Sequence, residues 1–255
     1  MDTLHKPTER VLLILETLAN EEGMTLSALA SKTGISKGTI FPILKSLLSR
    51  KYINHNEKTG LYTLGISCAV LASATFEKEY WLRMINAEMR NVVSACNEVC
   101  QMGVLDGAHV LYIDKIQGEQ TVQLVSKIGT RLPAIFSALG KAMLSQSTDE
   151  EIMALYPHGF TPVTSRSVPN AQKLREQLND VVIKGYAMDD REINEDTVCF
   201  AVPLMQRGRM LAAISVSLPY FRATEEKNEQ VLASLMQARQ KIENTLDKLP
   251  EISNF

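Results

Sequence analysis

The chain has 255 residues, 45% hydrophobic and 22% charged, ordinary globular usage that excludes disordered, collagen-like and disulfide-scaffold classes. With 27 basic and 29 acidic side chains its formal net charge is −2 and its pI about 6.1, so bulk charge does not hold a polyanion, although a local basic patch can. No apolar run approaches the ~18 residues of a membrane-spanning helix, the first residues lack the apolar core of a signal peptide, and four cysteines without an export signal suggest reduced thiols in a bacterial-type cytoplasm.

The charge is unevenly spread. Residues 1–67 hold eight basic groups against six acidic ones, and 31–60 hold six basic groups against Glu57 alone, a net of +5. Such an end suits a phosphate backbone, although on charge alone a solvated helix face explains it as well.

Val11, Leu12, Ile14, Leu15 and Leu18 recur at helical spacing and predict a helix from about Thr8 to Asn20, ended by Glu21-Glu22-Gly23. A short helix is expected over Ser27–Lys32, with Thr25 or Ser27 as its cap, broken at Thr33-Gly34 where glycine can turn left-handed. Ser36 can cap a third helix, Lys37 to about Arg50, with Ile40, Ile43 or Leu44, and Leu47 inside. Tyr52–Asn54 and Leu61–Leu64 read as a hairpin turning through Glu57–Gly60. Helix, short helix, glycine turn, helix and hairpin make a winged helix-turn-helix, its turn motif about 26–45, with Ala30 as the small residue at the helix crossing and double-stranded DNA as the partner. The residues placed toward the groove are Ser36, Lys37, Thr39, Phe41 and Lys45, with Lys58 on the wing. Pro42, deep in the third helix, predicts a lost backbone hydrogen bond and a late start or a bend.

Ile66 to about Arg90 lacks glycine and proline and predicts one or two linker helices, giving domains 1–67 and 68–255. Beyond it, Gln101–Asp106, Ala108–Ile116 and Thr121–Ile128 read as strands. Helices follow over Ala138–Gln146, Asp149–Leu155 and from Asn170 to Lys184, then strands over Thr197–Met205 and Met210–Leu218, and a closing helix opened by Thr224. The class is α+β, with a sheet covered by helices.

Several residues carry candidate chemistry. Ser137 can cap a helix whose first amides suit an anion. Ser215 and Ser217 share one face of an apolar strand, and a buried polar pair needs a partner. Asp189 can accept a hydrogen bond from a ligand hydroxyl; the alternative is a solvated Asp189-Asp190 turn. Cys96 and Cys100, four apart on a predicted helix, have no second ligand pair, so core packing is expected and no metal site. No cofactor fingerprint or catalytic motif appears. The competing function, a thiol redox enzyme using Cys199, is disfavoured by its apolar neighbours Val198 and Phe200.

"ERVLLIL" (9–15), "LSALASKTGISKGTI" (26–40), "YTLG" (62–65), "GTRLPAIFSALGKAML" (129–144), "GYAMDDRE" (185–192), "VCFAVPL" (198–204) and "AAISVS" (212–217) together resemble the IclR family of bacterial transcription regulators, nearly end to end. The resemblance implies a GAF-like effector-binding second domain and a ligand-responsive regulator, a repressor of a carbon-catabolism operon and not an enzyme. It also implies a dimer, or a dimer of dimers, which fits a pseudo-palindromic operator. It implies an effector cavity at Ala138, Leu139, Asp189, Cys199, Ser215 and Ser217, with Thr121 and Leu124 as walls, for a small carboxylate or a sugar- or aromatic-derived acid. Two positions depart from the family pattern: Pro42 stands where many members have arginine, and Leu139 where a very small residue is common.

Overall fold

In the computed structural model, which describes residues 4–78, 80–122, 124 and 126–252, the apolar spacing after Pro7 becomes α1 (Lys6–Ala19). Pro7 sits in its first turn, where a missing N–H costs little. Ile14 and Leu18 turn inward, whereas Leu12 faces solvent. There follow β1 (Met24–Thr25), α2 (Leu26–Thr33), α3 (Lys37–Ser49), β2 (Ile53–Asn56), β3 (Leu61–Leu64) and α4 (Ile66–Lys78). Thr25 is the cap of α2, accepting the Ala28 amide at 3.3 Å, and Gly34 ends that helix at φ 67°. Ile14, Leu18, Leu29, Ile40, Leu44, Leu47, Ile53 and Tyr62 form one small core, with Ala30 packed against it.

Two local expectations change in this unit. Ser36 holds the N-cap position of α3, but its hydroxyl lies 3.0 Å from that of Thr39 and caps no amide. Pro42 neither delays α3 nor interrupts it. The carbonyl that a helical proline crowds lies four residues back, here on exposed Gly38, where water can take its freed lone pairs. The wing also gains β1, a two-residue strand that makes the sheet order β1-β3-β2.

The chain divides into two units, Met1–Tyr80 and Trp81–Phe255, inside the helical stretch marked as linker. The second contains α5 (Tyr80–Cys96), β4 (Val99–Asp106), β5 (His109–Ile116), β6 (Arg131–Pro133), α6 (Ala138–Leu144), α7 (Asp149–Leu155), α8 (Ala171–Lys184), β7 (Ala187–Asp190), β8 (Thr197–Gln206), β9 (Arg209–Pro219) and α9 (Glu225–Leu246). Among the described residues six strands form one antiparallel sheet, β6-β5-β4-β9-β8-β7. Alternation along each strand sorts side chains to two faces. Cys100, Met102, Phe200, Val202, Ile214 and Val216 pack under α5 and α9. Val110, Ala201 and Ala213 pack under α6, α7 and α8. The protein is therefore α+β, a winged helix-turn-helix followed by a helix-covered curled sheet.

Among the described residues of 121–128 there is no strand; the edge beside β5 belongs to β6, through His109↔Pro133 and Leu111↔Arg131. Backbone groups of this region find side chains instead of a ladder, which is how an irregular segment meets its hydrogen-bond needs. The Glu119 amide donates to Asn97 Oδ1 at 2.8 Å, and the Val122 and Ser126 carbonyls accept from Arg222 at 3.0 Å and Lys115 at 2.8 Å. Cys100 lies in β4 and not on a helix with Cys96; both are core residues whose thiols burial pushes up. No helix among the described residues is long and apolar enough to cross a membrane.

Candidate functional site

Strand register assembles a polar floor in the second unit. Asp189 of β7 pairs with Cys199 of β8, and Cys199 with Ser217 of β9. Two residues along the same face, Ser215 pairs with Ala201 on one side and with Gln101 of β4 on the other. Above this floor, on the α6 side, lies a cavity of about 490 Å³. Leu124, Ala138, Leu139, Asp189, Cys199, Ser215 and Ser217 all line it; Thr121 does not, because its segment is not a strand and its side chain faces solvent.

Gln101, which the sequence reading overlooked, organises the floor. Its Oε1 accepts the hydroxyls of Ser217 at 2.9 Å and Ser215 at 3.3 Å, and its Nε2 donates to Ser126 Oγ at 2.9 Å. The available signal was an amide standing alone in the apolar run Val99–Val104. Tyr112, Lys127, Thr130, Asn194 and Thr197 complete the polar lining.

Burial sets the protonation of this floor. Asp189 is 2% exposed, so the solvated-turn alternative falls; its neighbour Asp190 is the one ion-paired at the surface, with Arg166 at 2.7 Å and Arg191 at 2.9 Å. Desolvation raises the Asp189 carboxyl from 3.8 to about 7, against the Glu192 amide that donates to Oδ1 at 2.6 Å and the charge of Lys141. Burial first, then the charge of Asp189, pushes the Cys199 thiol far above its ordinary value. Its sulfur lies 3.0 Å from Ser217 Oγ. It is a neutral thiol near neutrality, the opposite of what a nucleophilic cysteine requires.

The start of α6 forms another wall. Ser137 caps it by accepting the Gly140 amide at 3.1 Å, so that amide is spent on the helix itself. Gly140 is there for close packing, since a Cβ would collide with the Ala134 backbone. Ala138 and Leu139 remain at the cavity. One turn on, Lys141 is 1% exposed, ion-paired with buried Glu192 and donating to the Met188 carbonyl at 3.0 Å. Glu192 also accepts from the Val168 amide and from Gln177, both at 3.2 Å. One buried pair thus ties α6 to the end of β7.

In the first unit, Lys37, Phe41 and Lys45 stand four apart on α3 and share one exposed face, while Ile40, Leu44 and Leu47 turn inward. Phe41 is 56% exposed and so does not pack into the core. Ser36 is exposed and Thr39 half-buried, their hydroxyls paired with each other. Lys58 projects from the wing turn, which Asn56 Oδ1 braces by accepting the amides of Lys58 at 2.9 Å and Thr59 at 3.3 Å. Lys32 is ion-paired with Glu21, which trims the local positive charge. No cluster of three His, Cys, Asp or Glu side chains able to hold a metal exists among the described residues.

A winged DNA-binding module in one unit, and in the other a helix-covered sheet with a half-open, polar-floored cavity, define the class: a ligand-responsive DNA-binding transcription regulator. The profile of the IclR helix-turn-helix domain matches residues 7–57, and that of the bacterial transcriptional regulator IclR C-terminal domain matches 81–244. The chain belongs to the IclR family of bacterial transcription regulators. It is 28% identical to the HTH-type transcriptional regulator KdgR of Escherichia coli K12, over 91% of this chain and 89% of that protein. It is 26% identical to the transcriptional repressor IclR of the same organism, over 91% and 87%. An IclR homolog of Microbacterium hydrocarbonoxydans, crystallised with 4-hydroxybenzoate, shares the fold at a TM-score of 0.81 and 22% identity, covering 94% of this chain and 98% of that one. KdgR and IclR are named as transcription regulators, and this chain belongs to the same family of regulators.

Proposed function

We propose that the chain is a cytoplasmic repressor of a carbon-catabolism operon whose grip on operator DNA changes when a small organic or sugar acid enters the cavity of the second unit. The observation that carries this reading is the register row of Asp189, Cys199 and Ser217, with Ser215 beside it, lining a half-open cavity of about 490 Å³. A pocket of this size with few converging polar groups suits a compact metabolite. Ala138 and Leu139 at the α6 start, with Lys127 at the same cavity, offer amides and a positive charge to a carboxylate. Asp189 and the two serines fix its other oxygens. The relative crystallised with 4-hydroxybenzoate holds a molecule of that kind, with a carboxylate at one end and a hydroxyl at the other. A relative named as a repressor supports the sign of regulation.

On the DNA side, Lys37, Phe41 and Lys45 enter the groove, Ser36 and Thr39 lie at the helix start, and Lys58 touches the backbone from the wing. One winged module covers few base pairs, so the active unit is a dimer or a dimer of dimers on a pseudo-palindromic operator. Light scattering that gives the mass of a single chain at full operator affinity contradicts this. The central experiment is a thermal-shift screen of oxo, hydroxy and sugar acids, since a ligand of the native state raises its stability, followed by titration of operator occupancy with the best acid. Ser215→Ala with Ser217→Ala abolishes the response and leaves DNA binding intact. If both proteins respond at the same concentration, the effector binds elsewhere.

A further inference from the structure

We propose that Gln101 sets the chemical class of the effector: by taking the hydroxyl protons of Ser215 and Ser217, it makes that wall of the cavity a hydrogen-bond acceptor, and the effector presents hydroxyl groups to it. The inference rests on reading the cavity as the effector site.

A serine hydroxyl has one proton and two lone pairs. Gln101 is buried in β4, and its Oε1 receives the protons of both serines, at 2.9 Å from Ser217 and 3.3 Å from Ser215. What those hydroxyls have left to show the cavity is lone pairs. At Ser217 the same logic assigns the thiol proton: the serine's own proton is committed, so the Cys199 S–H donates across their 3.0 Å contact. At its other end Gln101 Nε2 donates to Ser126 Oγ at 2.9 Å, which completes the amide's hydrogen bonding. Asp189 lies in the same register row as Cys199 and Ser217, beside this wall.

A carboxylate or ketone oxygen placed here meets lone pair against lone pair, and an unpaired buried acceptor is costly. Hydroxyl groups donate to the same wall without penalty. The charged end of the ligand then lies toward Lys127, the cation that lines the same cavity. The effector is an acid with a carboxylate at one end and at least two hydroxyls at the other, a polyhydroxy acid in preference to a plain 2-oxo or alkanoic acid.

The test uses full-length protein and calorimetric titration with three six-carbon probes: gluconate, hexanoate and 2-oxohexanoate. Wild type binds gluconate at least about tenfold tighter than either other acid, the discrimination expected of about two net hydrogen bonds. Gln101→Met, which keeps the side-chain length and frees both serine protons, brings the ratio to within about threefold, with 2-oxohexanoate gaining. Ser217→Ala, a smaller change that does not depend on the glutamine variant folding, weakens gluconate about fivefold or more and leaves hexanoate where it was. Acids that bind wild type without discrimination, a preference for the 2-oxo acid, or a ratio that Gln101→Met does not move overturn the role of Gln101 alone. If no probe and no acid of the wider screen binds, the effector cavity itself is refuted and this inference with it.

Discussion

The two units handle polar chemistry in opposite ways. On α3 the groups offered to DNA stand in solvent, and the core beneath them is entirely apolar, from Ile14 to Tyr62. In the second unit the working groups are themselves interior: Asp189, Ser215, Ser217 and Gln101 are buried, and each is held by another polar side chain or by backbone. A surface array can therefore be edited with little effect on stability, whereas an edit to these buried groups is also an edit to a core. The contrast suits the partners, since a phosphate backbone is met at a surface and a metabolite is recognised by enclosing it.

The sharpest challenge to this contrast is Lys141. Lys141→Met leaves Glu192 buried without its cation, and we expect the second unit to lose about 3–5 kcal/mol in urea unfolding. A loss below 1 kcal/mol means that the pair contributes little and that the interior is not polar-braced as described.

Asp189 makes the next largest effect, and its sign is fixed by the direction of its shift. A carboxyl raised from 3.8 to about 7 on folding contributes stability that is fully present below its unfolded value and is lost as pH rises through the folded one. Wild type is therefore expected to weaken between about pH 4 and pH 7, by at most about 4 kcal/mol from this group. Asp189→Asn removes that part of the pH dependence, so the variant gains on wild type at pH 8 relative to pH 5. Unfolding free energies at the two pH values check it. Parallel profiles mean that Asp189 is not held in its neutral form.

On the surface side, Lys45→Ala is expected to reduce operator affinity across sequences and to flatten the salt slope by about one unit, while stability stays within about 0.5 kcal/mol of wild type. An unchanged slope removes Lys45 from the phosphate contacts. A large stability loss breaks the contrast from the other side.

What could be read from the sequence was what is encoded over a few residues. Thr25, Ser137, Asn170 and Thr224 each cap the helix expected of them, and Gly34 and Gly185 end theirs in left-handed backbone. The alternation along β9 already placed Ser215 and Ser217 on one face. Ser36 shows the limit of such signals, because its hydroxyl had a competing neighbour in Thr39. What could not be read is pairing at a distance. β1 and β6 are three residues or fewer and exist only because β3 and β5 offer them an edge. Thr121–Ile128 has the composition of a strand, but its described residues join no edge, and with that went the expected place of Thr121. Gln101 acquires its meaning from serines more than 100 positions away, and no local pattern announces that.

The Lys141–Glu192 pair lies outside the cavity lining and sets the part built on α6 and β7 apart from the rest. Through that pair α6 and the end of β7 form one braced frame, so any change there has to keep a buried charge matched. Among the described residues, the wall with Leu124, Ser126 and Lys127 holds no buried charge and is anchored in part by hydrogen bonds from Lys115 and Gln101. Descendants of this chain can thus acquire a taste for a new acid by single substitutions on one wall, while the frame that gives the cavity its shape is inherited unchanged.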